Sequence, residues 1–359
     1  MSVRTVAKLR PMTARWLADE QEFDEQDQPP VPVRRGPLNW FRVVAPFLCW
    51  AAAVAALLFA FIRVFGLEAT WPGQVIIVFT PYVALLSLLG VVFAAVLRRW
   101  RASVVALVAT FALVSVVVPR AIGSADNPRG PALRVMSSNL YLGTADAQDI
   151  VNLVKAHQID VLALEEYTGR ARFMLTAAGI DAMLPYSKRD PRPDARGSAI
   201  YSRYPLTDTG VIELPEYFGQ VYATVNVPGA LPVQVTVVHP CAPVSPREEA
   251  GCWAGGLAKA PHATPKGSLR LLLGDFNASL DHAILRKLIA TGYEDVADKL
   301  GDGLQPTWPY YGTGRAVVPK LTLDHVLVDA RIGVSDYGTN RVDHTDHKSI
   351  HATVTLPRG

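Results

Sequence analysis

Three stretches of this chain contain no charged residue: Val43 to Ile62, Val75 to Leu97 and Ala102 to Pro119, runs of 20, 23 and 18 residues. At about 1.5 Å per residue, each is long enough as a helix to cross a hydrocarbon core of about 30 Å. Charged and apolar residues mix normally elsewhere, so these runs hold much of the excess behind a 50% hydrophobic composition in 359 residues. A signal peptide would show one short apolar core near the start and a small-residue cleavage site. Here the first run begins after 42 residues and two more follow, so the reading is a lasting anchor of three spans over residues 43–119, rather than three buried helices of a large soluble core.

Arginine placement orients the anchor. Arg34, Arg35 and Arg42 precede the first span and Arg98, Arg99 and Arg101 fill the short second connection, whereas the first connection holds Arg63 offset by Glu68. The positive-inside rule puts the N-terminus in the cytoplasm, and three spans then place everything after Pro119 outside, although Arg120 and Arg129 weigh slightly against this. Cysteine usage agrees. Cys241 and Cys252 share one Pro- and Gly-rich loop, and outside the membrane such a pair oxidises, so a Cys241–Cys252 disulfide is expected; the alternative is two unrelated small buried residues.

Residues 1–42, with DEQEFDEQDQ and PPVPVRRGP, are too polar and proline-rich to bury a core and read as a disordered cytoplasmic tail, with room for one short helix near Thr13 to Asp19. Residues 120–132 read as a short linker that keeps the next domain close to the bilayer. From Leu133 onward strand-like and helix-like segments alternate. Strands are expected at 133–138, 160–164, 198–202, 221–227, 233–238, 269–273, 323–328 and 351–356, and helices at 146–157 and, capped by Ser279, at 281–291. This suits one large α/β domain over 133–359. From Asp126 to Gly359 there are 23 Lys and Arg against 25 Asp and Glu, a balance of −2 that offers no net basic excess for a stable nucleic-acid complex.

Several strands run into residues suited to metal or phosphate chemistry: Asn139, Glu165 and Glu166, His239, Asp275 and Asn277, and Asp346 and His347 before the last strand. Taken singly, each is an ordinary turn residue, helix cap or half-buried histidine. Gathered at one sheet edge, they would supply oxygen ligands for a hard cation, a base for water and cationic help for a phosphoryl group.

The segments RVMSSNLYLG, DVLALEEY, GSAIYSRYPL, VVHP, LLLGDFNAS, LTLDHVLV and TDHKSIHATV resemble, in this order, the motifs of the endonuclease/exonuclease/phosphatase superfamily across residues 133–356. The resemblance implies a DNase I-like α/β sandwich of two mixed sheets flanked by helices, with a cleft at one end, and a Mg²⁺ (or Mn²⁺) cofactor. It assigns Glu166, Asn139 and Asp346 to the metal site. Asp275 would orient or deprotonate the attacking water, Asn277 would hold the phosphate, and His239 would contact it. His347 would stabilise the transition state or assist as acid/base, with Asp324 orienting its imidazole. The sequence departs from the family at Glu165, where glutamine is usual, at Ser138, where an aromatic is common, and in TDH for SDH. Glu165 either adds charge near the metal or points into solvent.

Lys188 and Arg196, in SKRDPRPDARG, are candidates to grip an anionic head group, against the reading of that stretch as a solvated loop. Trp308 is expected to pack, and His282 and His344 to lie on the surface. Three spans followed by such a domain resemble actinobacterial membrane proteins of the VanJ type, linked to teicoplanin resistance. That resemblance implies a lipid or lipid-linked envelope phosphate as substrate. The alternatives are an extracellular nuclease or nucleotide phosphodiesterase, and a non-catalytic ligand-binding resistance module; oligomeric state stays open.

Overall fold

The computed structural model describes residues 37–126, 129–245, 249–310 and 319–359. Most of the expected cytoplasmic tail, including its short helix, lies outside them. Of the described residues, 37–47 fall in one unit and those from Leu48 to Gly359 in the second, which holds both sheets.

The apolar runs form helices α1 (Pro37–Phe65), α2 (Gly73–Ile77), α3 (Thr80–Val96) and α4 (Trp100–Val117). Two helical segments, Arg42–Phe65 and Trp100–Ala121, are long and apolar enough to span a bilayer. The run expected as one span over 75–97 is divided: α3 has 17 residues, Val75 to Ile77 belong to the short α2, and Phe79 is the N-cap of α3. Pro81 explains the break, because its ring is accommodated in the first turn of a helix and not inside one. The bundle is packed through small residues. Ala60, Ala84, Ala109 and Leu113 are buried together, and Thr110 Oγ1 donates to Ser87 Oγ at 2.9 Å. Large apolar side chains point the other way, with Phe111 75%, Leu86 64% and Phe93 55% exposed.

Two six-stranded sheets complete the chain. The strands are β1 (Ala132–Asn139), β2 (Val161–Glu165), β3 (Tyr186–Asp190), β4 (Ser198–Ser202), β5 (Leu206–Glu213), β6 (Gly219–Val225), β7 (Val233–Val237), β8 (Leu269–Asp275), β9 (Tyr293–Asp295), β10 (Asp324–Asp329), β11 (Gly333–Asn340) and β12 (Ser349–Thr355). Their order is β11-β12-β1-β2-β4-β3 in one sheet and β5-β6-β7-β8-β10-β9 in the other. Each sheet is mixed, with one parallel pair at its centre, β1·β2 and β7·β8, and antiparallel neighbours outside. The two sheets therefore repeat one pairing pattern, and the C-terminal ends of both parallel pairs carry the polar motif residues.

The central strands are buried on both faces, as strands covered on both sides must be. In β2, Val161 and Ala163 enter the core between the sheets while Leu162 and Leu164 pack beneath helices α5 (Ala147–Ala156), α6 (Gly169–Ala177) and α7 (Ile180–Met183). In β8, Leu271 and Leu273 face inward, and Leu272 meets α8 (Ala254–Ala258) and α9 (Ala283–Ile289). Strands β3, β5, β9 and β11 were not expected, because YSKRD, LTDTGVIE and GVSDYGTN are polar edge strands without apolar alternation and β9, YED, is three residues long.

Two local expectations are corrected. Helix α9 starts at Ala283 with His282 at its N-cap, not at Asp281 with Ser279 as the cap. Asp281 is drawn out of the helix by two arginines: Arg63 Nε reaches its Oδ1 at 2.6 Å, and Arg120 Nη2 and Nη1 reach Oδ1 and Oδ2 at 2.7 and 2.9 Å. The segment read as a linker is also tied down at its start, since Arg120 is buried and Ser124 N donates to Lys299 O.

Candidate active site

Strand pairing assembles the centre. Asn139 stands opposite Glu165 in the β1·β2 ladder, and Asp324 opposite Asp275 in the β8·β10 ladder. Asn139 Nδ2 lies 3.2 Å from both Glu166 Oε1 and Asp275 Oδ2, joining the ends of the two sheets. Gly274 makes this approach possible. Its φ is +146°, and a Cβ there would lie 2.1 Å from the Val238 carbonyl, so only glycine lets β8 run so close to the chain entering His239. Glu166 and Asn277 also have positive φ, +55° and +47°, an uncommon backbone region that gathers at functional loops.

Asp275, Asp324 and His347 are buried, with ligand-type atoms within 4.8 Å of one another. His347 Nδ1 is 2.9 Å from Asp324 Oδ2, and its Nε2 is 3.5 Å from Asp275 Oδ2. Burial alone would lower the imidazole, but the Asp324 and Asp275 carboxylates reverse this and hold it up to about 10. His347 is therefore a charged donor at neutral pH, whereas a metal-ligating imidazole must be neutral. Burial raises Asp275, against the opposing pull of His347. Its Oδ1 accepts from Asn277 N at 2.8 Å. His239, 3.9 Å from both Glu166 Oε1 and Asp275 Oδ2, is pushed down by burial and faces the same space as a neutral ring.

Glu166 Oε2 accepts from Leu142 N at 2.6 Å. Burial raises its carboxyl, with a smaller push from Asp346, against the hydrogen bonds from Leu142 and Asn139. Asp346 Oδ2 accepts from Trp308 Nε1 at 2.9 Å, while its Oδ1 is buried without a hydrogen-bond partner among the described residues. Two neighbouring carboxylates, one with an orphaned buried oxygen, are hard oxygen donors that fit a divalent cation, while Asn139 turns its Nδ2 to them and its Oδ1 accepts from Tyr141 N at 2.9 Å.

The structure thus brings together Asn139, Glu166, His239, Asp275, Asp324, Asp346 and His347. Asn277 lines the same cavity, with its Nδ2 donating to Pro240 O at 3.0 Å. Lys188 and Arg196 are not among the cavity-lining residues: Lys188 lies on β3 paired with Ile200, and Arg196 is ion-paired to Asp194. The expected disulfide is present, Cys241 to Cys252, with Cα atoms 5.7 Å apart.

Three readings change. Glu165 does not face solvent: it is fully buried, accepts from Ser137 Oγ at 2.7 Å, and burial holds its carboxyl well above the usual range. Trp308 does more than pack, since its indole N–H holds Asp346. His282 is not a surface residue. It is 2% exposed, its Nδ1 accepts from Ser279 N, and its Nε2–H therefore donates to Gln74 O at 2.9 Å, the neutral tautomer that its burial also favours. His344 is exposed as expected.

Above this floor lies a cavity of about 470 Å³. The sequence profile of the endonuclease/exonuclease/phosphatase family matches residues 136–347, more than half of the chain, and spans these motif residues from Asn139 to His347. The chain belongs to the endonuclease/exonuclease/phosphatase family. The fold is similar to humanized D. rerio TDP2 carrying 14 mutations, with a TM-score of 0.50 and 15% identity over 63% of this chain and 99% of that one. It is similar to truncated Caenorhabditis elegans TDP2 as well, with a TM-score of 0.50 and 17% identity over 63% and 98%. An endonuclease/exonuclease/phosphatase from Beutenbergia cavernae DSM 12333 superposes at 0.49, with 19% identity over 64% and 72%. No curated protein matches the chain significantly. Endonuclease/exonuclease/phosphatase enzymes generally depend on a divalent metal, and this one is a hydrolase of phosphate esters with a buried Asp/Asp/His cluster.

Proposed function

We propose that this protein is a membrane-anchored phosphoesterase that hydrolyses a phosphate ester or pyrophosphate of a membrane lipid or lipid-linked envelope intermediate at the outer surface of the cell membrane. The observation that carries this reading is the clasp between anchor and enzyme. The ends of both spanning-length helices place an arginine, Arg63 and Arg120, on one buried carboxylate, Asp281, only six residues beyond Asp275. The catalytic loop is thereby fixed to the mouth of a bundle whose interior is mostly alanine and whose larger side chains, such as Leu86, Phe93 and Phe111, face outward, the pattern of helices packed within lipid. A site held there meets lipid head groups at high effective concentration. We read α1, α3 and α4 as three spans, with the N-terminus in the cytoplasm and the enzyme outside.

The residues divide the chemistry. Asp275 receives the proton of the attacking water, a task suited to a carboxylate raised toward neutrality. His347, kept charged and aimed by Asp324, offers its Nε2–H to the phosphoryl oxygens as negative charge builds on them. His239 contacts the same group. Glu166, with Asn139 and Asp346, would hold the divalent cation, Mg²⁺ or Mn²⁺, which when bound neutralises charge on the phosphoryl group.

The test uses the full chain in detergent beside Asp275→Ala and His347→Ala, assayed on prenyl pyrophosphates, phospholipids and DNA with Mg²⁺ or EDTA. Release from a lipid, lost with EDTA and in both variants, is expected. DNA cleavage with the same dependence would make the protein a nuclease, and silence on every substrate would favour a binding module.

A further inference from the structure

The cavity over the catalytic floor has two unlike halves. Glu166, His239, Asp275 and His347 form one; the other includes Val75, Val78 and Phe79, which belong to the connection between α1 and α3 and not to the sandwich. These three sit there because the connection is docked on the enzyme. Gln74 O accepts from His282, Glu68 accepts from the backbone N–H of Ala283, and Tyr82 Oη donates to Lys320 O at 2.7 Å. Val78 and Phe79 also pack against Leu321 and Leu323, just before Asp324.

Resting on the lipid reading of the site, we propose that Val75, Val78 and Phe79 form the subsite for the hydrocarbon tail of the substrate, so that anchor and catalytic domain bind one amphiphile between them. Two observations argue for such an occupant. No charged residue lies between Val75 and Leu97, so the wall residues continue in the chain into α3 without a charge, and the Leu85, Leu89 and Phe93 side chains of α3 are exposed. Further apolar lining comes from Phe218, whose ring lies 5.7 Å from that of His239, and from the 70% exposed Val244. A nucleic acid or nucleotide would set a sugar and further phosphates against these faces and gain nothing from them, whereas a phosphate ester with one polar end and one apolar end matches both halves. The volume falls in the range of small-ligand sites, which leaves room for a head group and the first part of a tail.

The subsite predicts a chain-length dependence. The full chain in detergent with Mg²⁺ is given alkyl p-nitrophenyl phosphates and alkyl pyrophosphates from methyl to dodecyl, below their micelle concentrations, and nitrophenolate or inorganic phosphate is followed. We expect kcat/KM to rise by about fourfold for each methylene seated on the wall. In Val75→Asn and in Phe79→Ser the ratio of dodecyl to butyl kcat/KM should fall at least tenfold. The wild-type profile needs no variant to fold, and the thermal midpoints of both variants show whether they do. Hydrolysis of every chain length with one efficiency, alongside EDTA-sensitive release from prenyl pyrophosphate in vesicles, would overturn the subsite and leave the lipid reading standing. A flat profile with no release from any lipid would overturn both.

Discussion

Asp281→Ala should loosen the protein far more than an ordinary surface change. In the wild type this carboxylate is 1% exposed and receives three charge-assisted hydrogen bonds from Arg63 and Arg120, which are 4% and 6% exposed. Removing it strands two buried guanidinium groups, leaving Arg63 only the Leu280 carbonyl at 3.1 Å. A third arginine, Arg286, lowered to about 10 chiefly by burial and then by Arg63, adds to the repulsion. Breaking a buried ion pair from one side costs about 3–5 kcal/mol. For a domain of this size, about 2–4 °C in Tm per kcal/mol gives a fall of about 6–20 °C. The assay is thermal unfolding of the full chain in detergent by tryptophan fluorescence. Adding Arg120→Met to Asp281→Ala should recover part of the loss, because the uncompensated charge goes too. Burial would raise Asp281, yet the two arginines hold it below the usual carboxylate range, so its contribution is full above about pH 4 and fades as pH falls through the lower folded value. Asp281→Asn should flatten that acid limb. A midpoint within about 2 °C of wild type for Asp281→Ala, or strict additivity with Arg120→Met, would refute the clasp.

Glu166→Gln should reduce activity by at least about 100-fold and raise the Mg²⁺ concentration needed for half-maximal rate, whereas Glu165→Gln, a change of near-equal size at a buried side chain that Ser137 can still reach, should change kcat less than about threefold. Asp324→Asn should lower kcat by about 10²–10⁴-fold through loss of His347 orientation and charge. Because His347 is raised when folded, the stability it contributes is full below about pH 6.5 and is lost as pH rises through about 10; a denaturation series across that window should show a slope in the wild type and a weaker one in Asp324→Asn. Reducing the Cys241–Cys252 bond, which closes a short loop with a sequence separation of 11, should cost about 3 kcal/mol by the loop-entropy relation, read as a shifted urea midpoint.

Much of this protein was legible in its sequence wherever the information is local. Charge-free runs mark the apolar helices α1, α3 and α4, because a run of that length without a charge leaves few folds but a long apolar helix. The buried strands of both sheets could be read from runs such as VLAL and LRLLL, and ordered motifs named Asn139, Glu166, His239, Asp275, Asp324 and His347 before any geometry was known. Edge strands such as β3 and β11 gave no such signal, since solvent relaxes the demand for alternation. What only the tertiary structure decided are the relations between distant segments: that Asp281 leaves a helix to meet Arg63 and Arg120, that His282 is buried against Gln74, that Glu165 is buried against Ser137, and that Trp308 holds Asp346. Each depends on which groups lose water together, and desolvation is a property of the packed surroundings rather than of the residue. For that reason the residues at 75–79 read as the start of a span in the sequence and as a wall of the catalytic cavity in the fold.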